Sequence, residues 1–164
     1  MLLHHVAAVV RDLDPPRRLF DAIGLRVSPP RTDERWGAGE SMVECGPASL
    51  VLWRPTSPDG SGARVLARRG PGLHHVALDV DDLPGIVATL SERGIRFLGS
   101  IAEGPDQRRV FLDPKQAHGG LIELTETWDR TGPRRSPPGA TMLGHVGWAV
   151  QDLEAASDFF RRLG

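Results

Sequence analysis

The stretch HHVALDVDDLPGIVATLSERGIRF, residues 74–97, decides the fold. Its opening is a short run rich in valine, the pattern of a buried strand. Asp82 and Leu83 follow, with the aspartate placed to cap a helix that runs to about Arg93. Gly94 stands where a left-handed residue ends that helix, and Ile95 to Leu98 begin a second strand. The same arrangement occurs 70 residues earlier as HHVAAVVRDLDPPRRLFDAIGLRV from His4. It occurs 70 residues later as GHVGWAVQDLEAASDFFRRLG from Gly144. His5, His75 and His145 share one position of the repeat, as do Asp12, Asp82 and Asp152, and Gly24, Gly94 and Gly164. A period of 70 is too long for the common solenoids, so each copy reads as a half-domain that needs a partner.

Continuing outward, each complete copy predicts two further strands after a polar loop. In the first copy the helix runs to about Ile23 and the strands cover Leu25 to Val27, Ser41 to Cys45 and Ser49 to Arg54. In the second, the later strands cover Arg108 to Leu112 and Leu121 to Thr125. The order is βαβββ twice, an α+β class with modules at 3–54 and 73–126 inside a domain of residues 1–126. Pro55 to Gly72 joins the modules and is rich in Pro, Ser and Gly, with a helical turn at Ala63 to Arg69. Residues 127–141 form a second linker, and 142–164 begin a truncated third βα unit. That unit is expected to form a strand from Leu143 to Val150 and a helix from Leu153 to Leu163, whose apolar positions need a surface to cover them.

The 164 residues carry 40% hydrophobic content, enough for one compact domain. A net charge of −1 offers no pull toward nucleic acid or an anionic membrane. No run of 18 apolar residues occurs, and the first residues lack a secretory pattern. Cys45 is the single cysteine, so no intrachain disulfide forms, which suits a cytoplasmic location. Lys115 is the one lysine among 20 basic residues, a bias typical of a GC-rich bacterial genome.

Paired βαβββ units with an HHVA opening resemble the vicinal oxygen chelate superfamily of glyoxalases, bleomycin-resistance proteins, epimerases and dioxygenases. Within it, the greatest likeness is to the methylmalonyl-CoA epimerase family. It is carried by GLHHVALDVDDL at Gly72 to Leu83 and by RRVFLDPKQAHGGLIELTE at Arg108 to Glu126, and it extends over residues 3 to 126. The resemblance implies a half-open β-barrel built from the two modules, with metal ligands on the first and last strand of each. His5, His75 and Glu123 match three of the four ligand positions. Glu123 also reads as an inward residue on its own terms, because it alternates with Leu121's neighbours Ile122 and Leu124 in an apolar strand. The fourth position falls on Val51, which cannot bind a metal and which the repeat makes the counterpart of Glu123.

These residues imply a divalent metal cofactor and a small-molecule substrate. An epimerase-like enzyme would enolise an acyl-CoA or related 1,3-dicarbonyl acid at cobalt, manganese, nickel or zinc, with Glu44 as base and Glu123 assisting. Two histidines and one carboxylate equally suit an Fe(II) dioxygenase. A metal-free binding protein of the resistance type is the third reading. For Arg108 and Arg109 surface charge is the default reading and contact with an anionic substrate the alternative, while Lys115 and His118 sit in a turn beside Glu123. Cys45 has no neighbouring base that would make it a nucleophile. A homodimer is compatible with the unpaired third unit.

Overall fold

The computed structural model describes residues 1–34, 37–128 and 142–164. Among the described residues the chain is α+β, with eight strands and four helices. It divides into two compact units, one containing residues 5–74 and the other containing residues 75–128 and 144–164 together with residues 1–4.

The amino-terminal unit runs β1 (Leu2–Val9), α1 (Asp14–Ala22), β2 (Arg31–Asp33), β3 (Ala38–Cys45), β4 (Ala48–Pro55) and α2 (Ser61–Arg69). Its strands lie in the order β2-β3-β4-β1, with β1 parallel to β4 and the other pairs antiparallel. Ala8, Val10, Val43, Cys45, Leu50 and Leu52 face α1 and pack with Leu13 and Phe20. Alternation sends His5, Ala7, Val51, Trp53, Glu40, Met42 and Glu44 to the opposite face, since the registers pair His5 with Ser49, Ala7 with Val51, and Met42 with Val51.

Two expectations are corrected here. The second strand is not Leu25 to Val27 but Arg31–Asp33. Val27 forms only an isolated bridge to Val43, although Ser28 N–H donates to the Met42 carbonyl. Pro29 and Pro30 have no N–H to donate and break the ladder between these two stretches. The expected turn in the linker is a full nine-residue helix, α2. Gly62 allows it to lie on Trp53, since a Cβ there would stand 2.8 Å from both the indole and the Pro55 ring.

The carboxy-terminal unit runs β5 (Gly72–Asp79), α3 (Leu83–Glu92), β6 (Phe97–Glu103), β7 (Gln107–Leu112), β8 (Ile122–Thr127) and α4 (Leu153–Leu163). The strand order is β5-β8-β7-β6, with β5 parallel to β8. Leu78, Val80, Val110, Leu112, Ile122 and Leu124 face α3 and α4. The Asp82 carboxylate accepts from Gly85 N–H at 3.1 Å, and Asp152 does the same for Ala155 at 2.9 Å. The first copy differs: Asp12 accepts from Asp14 N–H instead, because the residue three places on is Pro15. Gly24 and Gly94 hold φ of 86° and 78°, the left-handed conformation that ends a helix.

The third copy forms its helix over Leu153–Leu163 but not its strand: residues 142–150 are not in any ladder. Among the described residues its backbone bond to a strand is Leu143 N–H to the Cys45 carbonyl, at 3.3 Å. The helix also turns a different flank inward from its counterpart. Leu83 and Leu90 are buried in α3, whereas the residues 70 places on, Leu153 and Phe160, are exposed. In their stead α4 buries Ala156, Phe159 and Leu163 against the core that contains Leu90 and Leu112. The expected linker at 127–141 falls, beyond Trp128, outside the described residues. Among the described residues no helix is long and apolar enough to cross a membrane.

Phe159 is 1% exposed. Replacing it by Ala is expected to destabilise the protein by ~3–5 kcal/mol in urea or guanidinium unfolding, as for a large aromatic lost from a core. A loss below ~1 kcal/mol would mean that α4 does not pack as described.

Candidate metal and substrate site

Glu123 is the second residue of β8, with Ala77 of β5 and Phe111 of β7 as its register partners. Its neighbours Ile122 and Leu124 are drawn to the helix-covered core, so alternation fixes the carboxylate on the other face. His75, Arg109 and Phe111 occupy that same face. The side chain of Glu123 has 0% exposure. One oxygen, Oε2, is 3.7 Å from His75 Nε2 and accepts from Arg109 Nη1 at 3.3 Å. The other, Oε1, is buried with no hydrogen-bond partner. The His75 ring meets the edge of Phe111 with centroids 5.5 Å apart, and the Arg109 guanidinium carbon is 5.8 Å from the Phe111 centroid.

The electrostatics follow from this burial. Loss of water pushes the Glu123 carboxyl up to about 7, and the Arg109 charge opposes that rise without cancelling it. A buried carboxylate with an unbonded oxygen beside an imidazole nitrogen is a costly arrangement unless a cation completes it. The donor types fit a first-row divalent ion, which takes imidazole nitrogen and carboxylate oxygen together.

The remaining sequence candidates are distributed as follows. His5 is buried on β1, on the face that carries Val51. Glu44 lies on that face too, but at the open end of β3, where its side chain is 55% exposed and paired with Arg26 at 3.4 Å. The sequence reading passed over Glu40, four residues earlier, whose side chain is 16% exposed and pairs with Arg31 at 2.5 Å. Counting by twos back from Glu44 places Glu40 on the same face, opposite Trp53, and that signal was available in the sequence. His4 meets Thr127 Oγ1 at 3.4 Å, and His74 packs edge-on to Trp53 at 4.7 Å. Burial lowers the His74 pKa, and it raises that of the Cys45 thiol, which keeps the thiol protonated and unreactive. His118 packs on Phe159, while Lys115 and His145 are exposed.

The fold and this site define a class. The family model described as Glyoxalase/Bleomycin resistance protein/Dioxygenase superfamily matches residues 4–111, and the chain belongs to that superfamily. Within it the chain is similar to several epimerases, and they support an enzyme of the epimerase (isomerase) kind. The mitochondrial methylmalonyl-CoA epimerase of Bos taurus is 30% identical over 128 residues, covering 76% of this chain and 73% of its own. The ethylmalonyl-CoA/methylmalonyl-CoA epimerase of Cereibacter sphaeroides is 29% identical over 130 residues, covering 76% of this chain and 96% of its own. Among solved structures, a glutamate-to-glutamine variant of Streptomyces coelicolor methylmalonyl-CoA epimerase in complex with 2-nitronate-propionyl-CoA matches with a TM-score of 0.72 and 28% identity. That match covers 79% of this chain and 99% of the other.

The raised pKa sets a pH dependence for cation uptake. Glu123 must lose its proton to bind an ion, so below about pH 7 each ion bound should release a proton from this group. From the Glu123 contribution, divalent-ion affinity is expected to fall roughly tenfold between pH 7.5 and pH 6. Calorimetric titration in buffers of different ionisation enthalpy counts the protons; an ion that binds at pH 6 with none released would contradict the assignment.

Proposed function

We propose that this protein is a metal-dependent epimerase that moves the α-proton of an acyl-CoA bearing a second carbonyl group, as in methylmalonyl-CoA. The observation that carries this reading is the fully buried Glu123, with one oxygen near His75 and the other without a hydrogen bond. His5 is assigned as the third ligand. In support, His5 holds the position of the repeat that His75 holds 70 residues on. Cobalt, manganese, nickel or zinc suits the donor set.

When bound, the ion supplies a Lewis acid that favours negative charge on the substrate's carbonyl oxygens. The chain's own residues do the rest. The Phe111 edge holds the imidazole of His75 in place, and the β8 register holds Glu123. A carboxylate must take the α-proton and return it. Glu44 was the base expected from sequence; with both glutamates paired to an arginine, burial favours Glu40 on the same face, 16% exposed against 55%. The nitronate ligand of the Streptomyces relative supports enolisation, because a nitronate carries its negative charge on oxygen as an enolate does.

Val51 favours one second reading. With no fourth protein ligand, the two-histidine, one-carboxylate set also suits an Fe(II) dioxygenase. Two measurements separate the readings. With cobalt or manganese in deuterated water, an epimerase exchanges the α-hydrogen of methylmalonyl-CoA for deuterium; a dioxygenase takes up dioxygen with iron and exchanges nothing. Glu123→Gln is expected to lose bound metal and the exchange together. Glu40→Gln should keep metal and lose exchange by about 10²–10⁴-fold, the usual worth of a general base, with Glu44→Gln close to the parent. Val51→Glu should tighten metal binding. Absence of exchange with every one of these ions ends the epimerase reading.

A further inference from the structure

We propose that the exposed flank of α4 is a self-association surface, on which a second copy of this chain lays its own α4 antiparallel across a twofold axis. In α3, Leu83 and Leu90 are buried. The residues 70 places on, Leu153 and Phe160, are apolar too, yet they are 75% and 37% exposed. α4 packs a different side, Ala156, Phe159 and Leu163, on the core of its unit. The helix is therefore apolar on two sides, and among the described residues only one of them is covered. Leu153, Ser157 and Phe160 follow one another at spacings of four and three, which places them in one stripe along the helix. Trp148 widens that stripe, its ring meeting Phe160 with centroids 5.7 Å apart. Large apolar residues aligned in this way differ from the single scattered ones that any protein surface carries.

The order of side chains along the stripe selects the occupant. An apolar residue stands at each end with the small Ser157 between, so an antiparallel copy sets Leu153 of each chain against Phe160 of the other. Glu154 follows Leu153 and Arg161 follows Phe160, so the two charges lie along the same side of the stripe. A twofold axis across the helices brings that side of one copy against the same side of the other. Arg161 of each copy then stands about two residues, ~3 Å along the axis, from Glu154 of the other, while like charges are roughly 7 Å or more apart. The acidic first turn and basic last turn also oppose end to end, the favourable order for two helix dipoles. Arg161 pairs with Asp158 of its own chain as well, and its five N–H donors can serve both carboxylates. One patch satisfies itself in this arrangement, which is the isologous geometry of most dimers. Its 11 residues span only about 16 Å, less than a permanent dimer needs, so the association is weak and reversible.

Sedimentation velocity over a concentration series reads the association, with circular dichroism checking the fold of each variant. The parent should show a reversible monomer–dimer step. Phe160→Asp should weaken that step by about tenfold or more, and Glu154→Arg and Arg161→Glu by about 3- to 10-fold each. The two charge variants mixed in equal amounts should associate as tightly as the parent, because each supplies the charge that the other lacks. High salt should remove the differences among the charge variants. Glu154 and Arg161 are exposed, so their variants decide the matter if Phe160→Asp does not fold. A parent that stays monomeric at every concentration overturns the second copy as occupant and leaves the flank to a different partner. A dimer that none of the three substitutions weakens, or a mixture no tighter than the separate charge variants, overturns it as well.

Discussion

A carboxylate without exposed surface, set between Ile122 and Leu124, is the constraint around which the carboxy-terminal unit is arranged. Burying an ionised group in apolar surroundings is disfavoured by several kcal/mol unless charge or hydrogen bonds compensate. The apolar flanks of Glu123 are what hold it there: they belong to the core under α3 and α4, and the two-residue period of a strand leaves the glutamate no other face. Arg109, His75 and Phe111 are the neighbours that this register delivers. The raised carboxyl pKa records how incompletely Arg109 compensates the burial.

The superfamily joins several chemistries on one fold, so the fold by itself does not select among them. Selection comes from side chains on the open faces of the two units. Val51, where the resemblance calls for a ligand, leaves an apolar surface beside Ala7 and Met42. Arg109 adds a permanent charge next to Glu123.

Much of this was legible in the sequence, for physical reasons that can be named. Glu123 stood out because alternation in a short apolar strand assigns faces without reference to distant residues, and His75 because it shares one position of the repeat with His5. Asp82, Asp152, Gly24 and Gly94 marked helix ends because capping and left-handed backbone are local. Of the helix at Ser61–Arg69 only a turn at Ala63 to Arg69 was expected amid the Pro, Ser and Gly around it, and its hold on Trp53 depends on a close approach at Gly62 that composition does not reveal. The shift of β2 past Pro29 and Pro30 depends on which partner β3 offers. The distinct partners of Arg108 and Arg109, Glu126 and Glu123, follow from the register of β7 with β8. The missing strand at 142–150 shows the limit of repeat logic, since a strand exists only where another pairs with it.

The third repeat keeps the ends of its helix and changes its flank. Asp152 caps it as Asp82 caps α3, but Ala156, Phe159 and Leu163 have become its inward residues. Trp148 reinforces the attachment, for a Cβ at Gly120 would overlap its indole. Removing residues 142–164 would therefore not yield a simpler version of the same molecule. It would strip the lid from Leu90 and Leu112 and present a greasy patch to water, where the trimmed protein would meet its own kind and come out of solution.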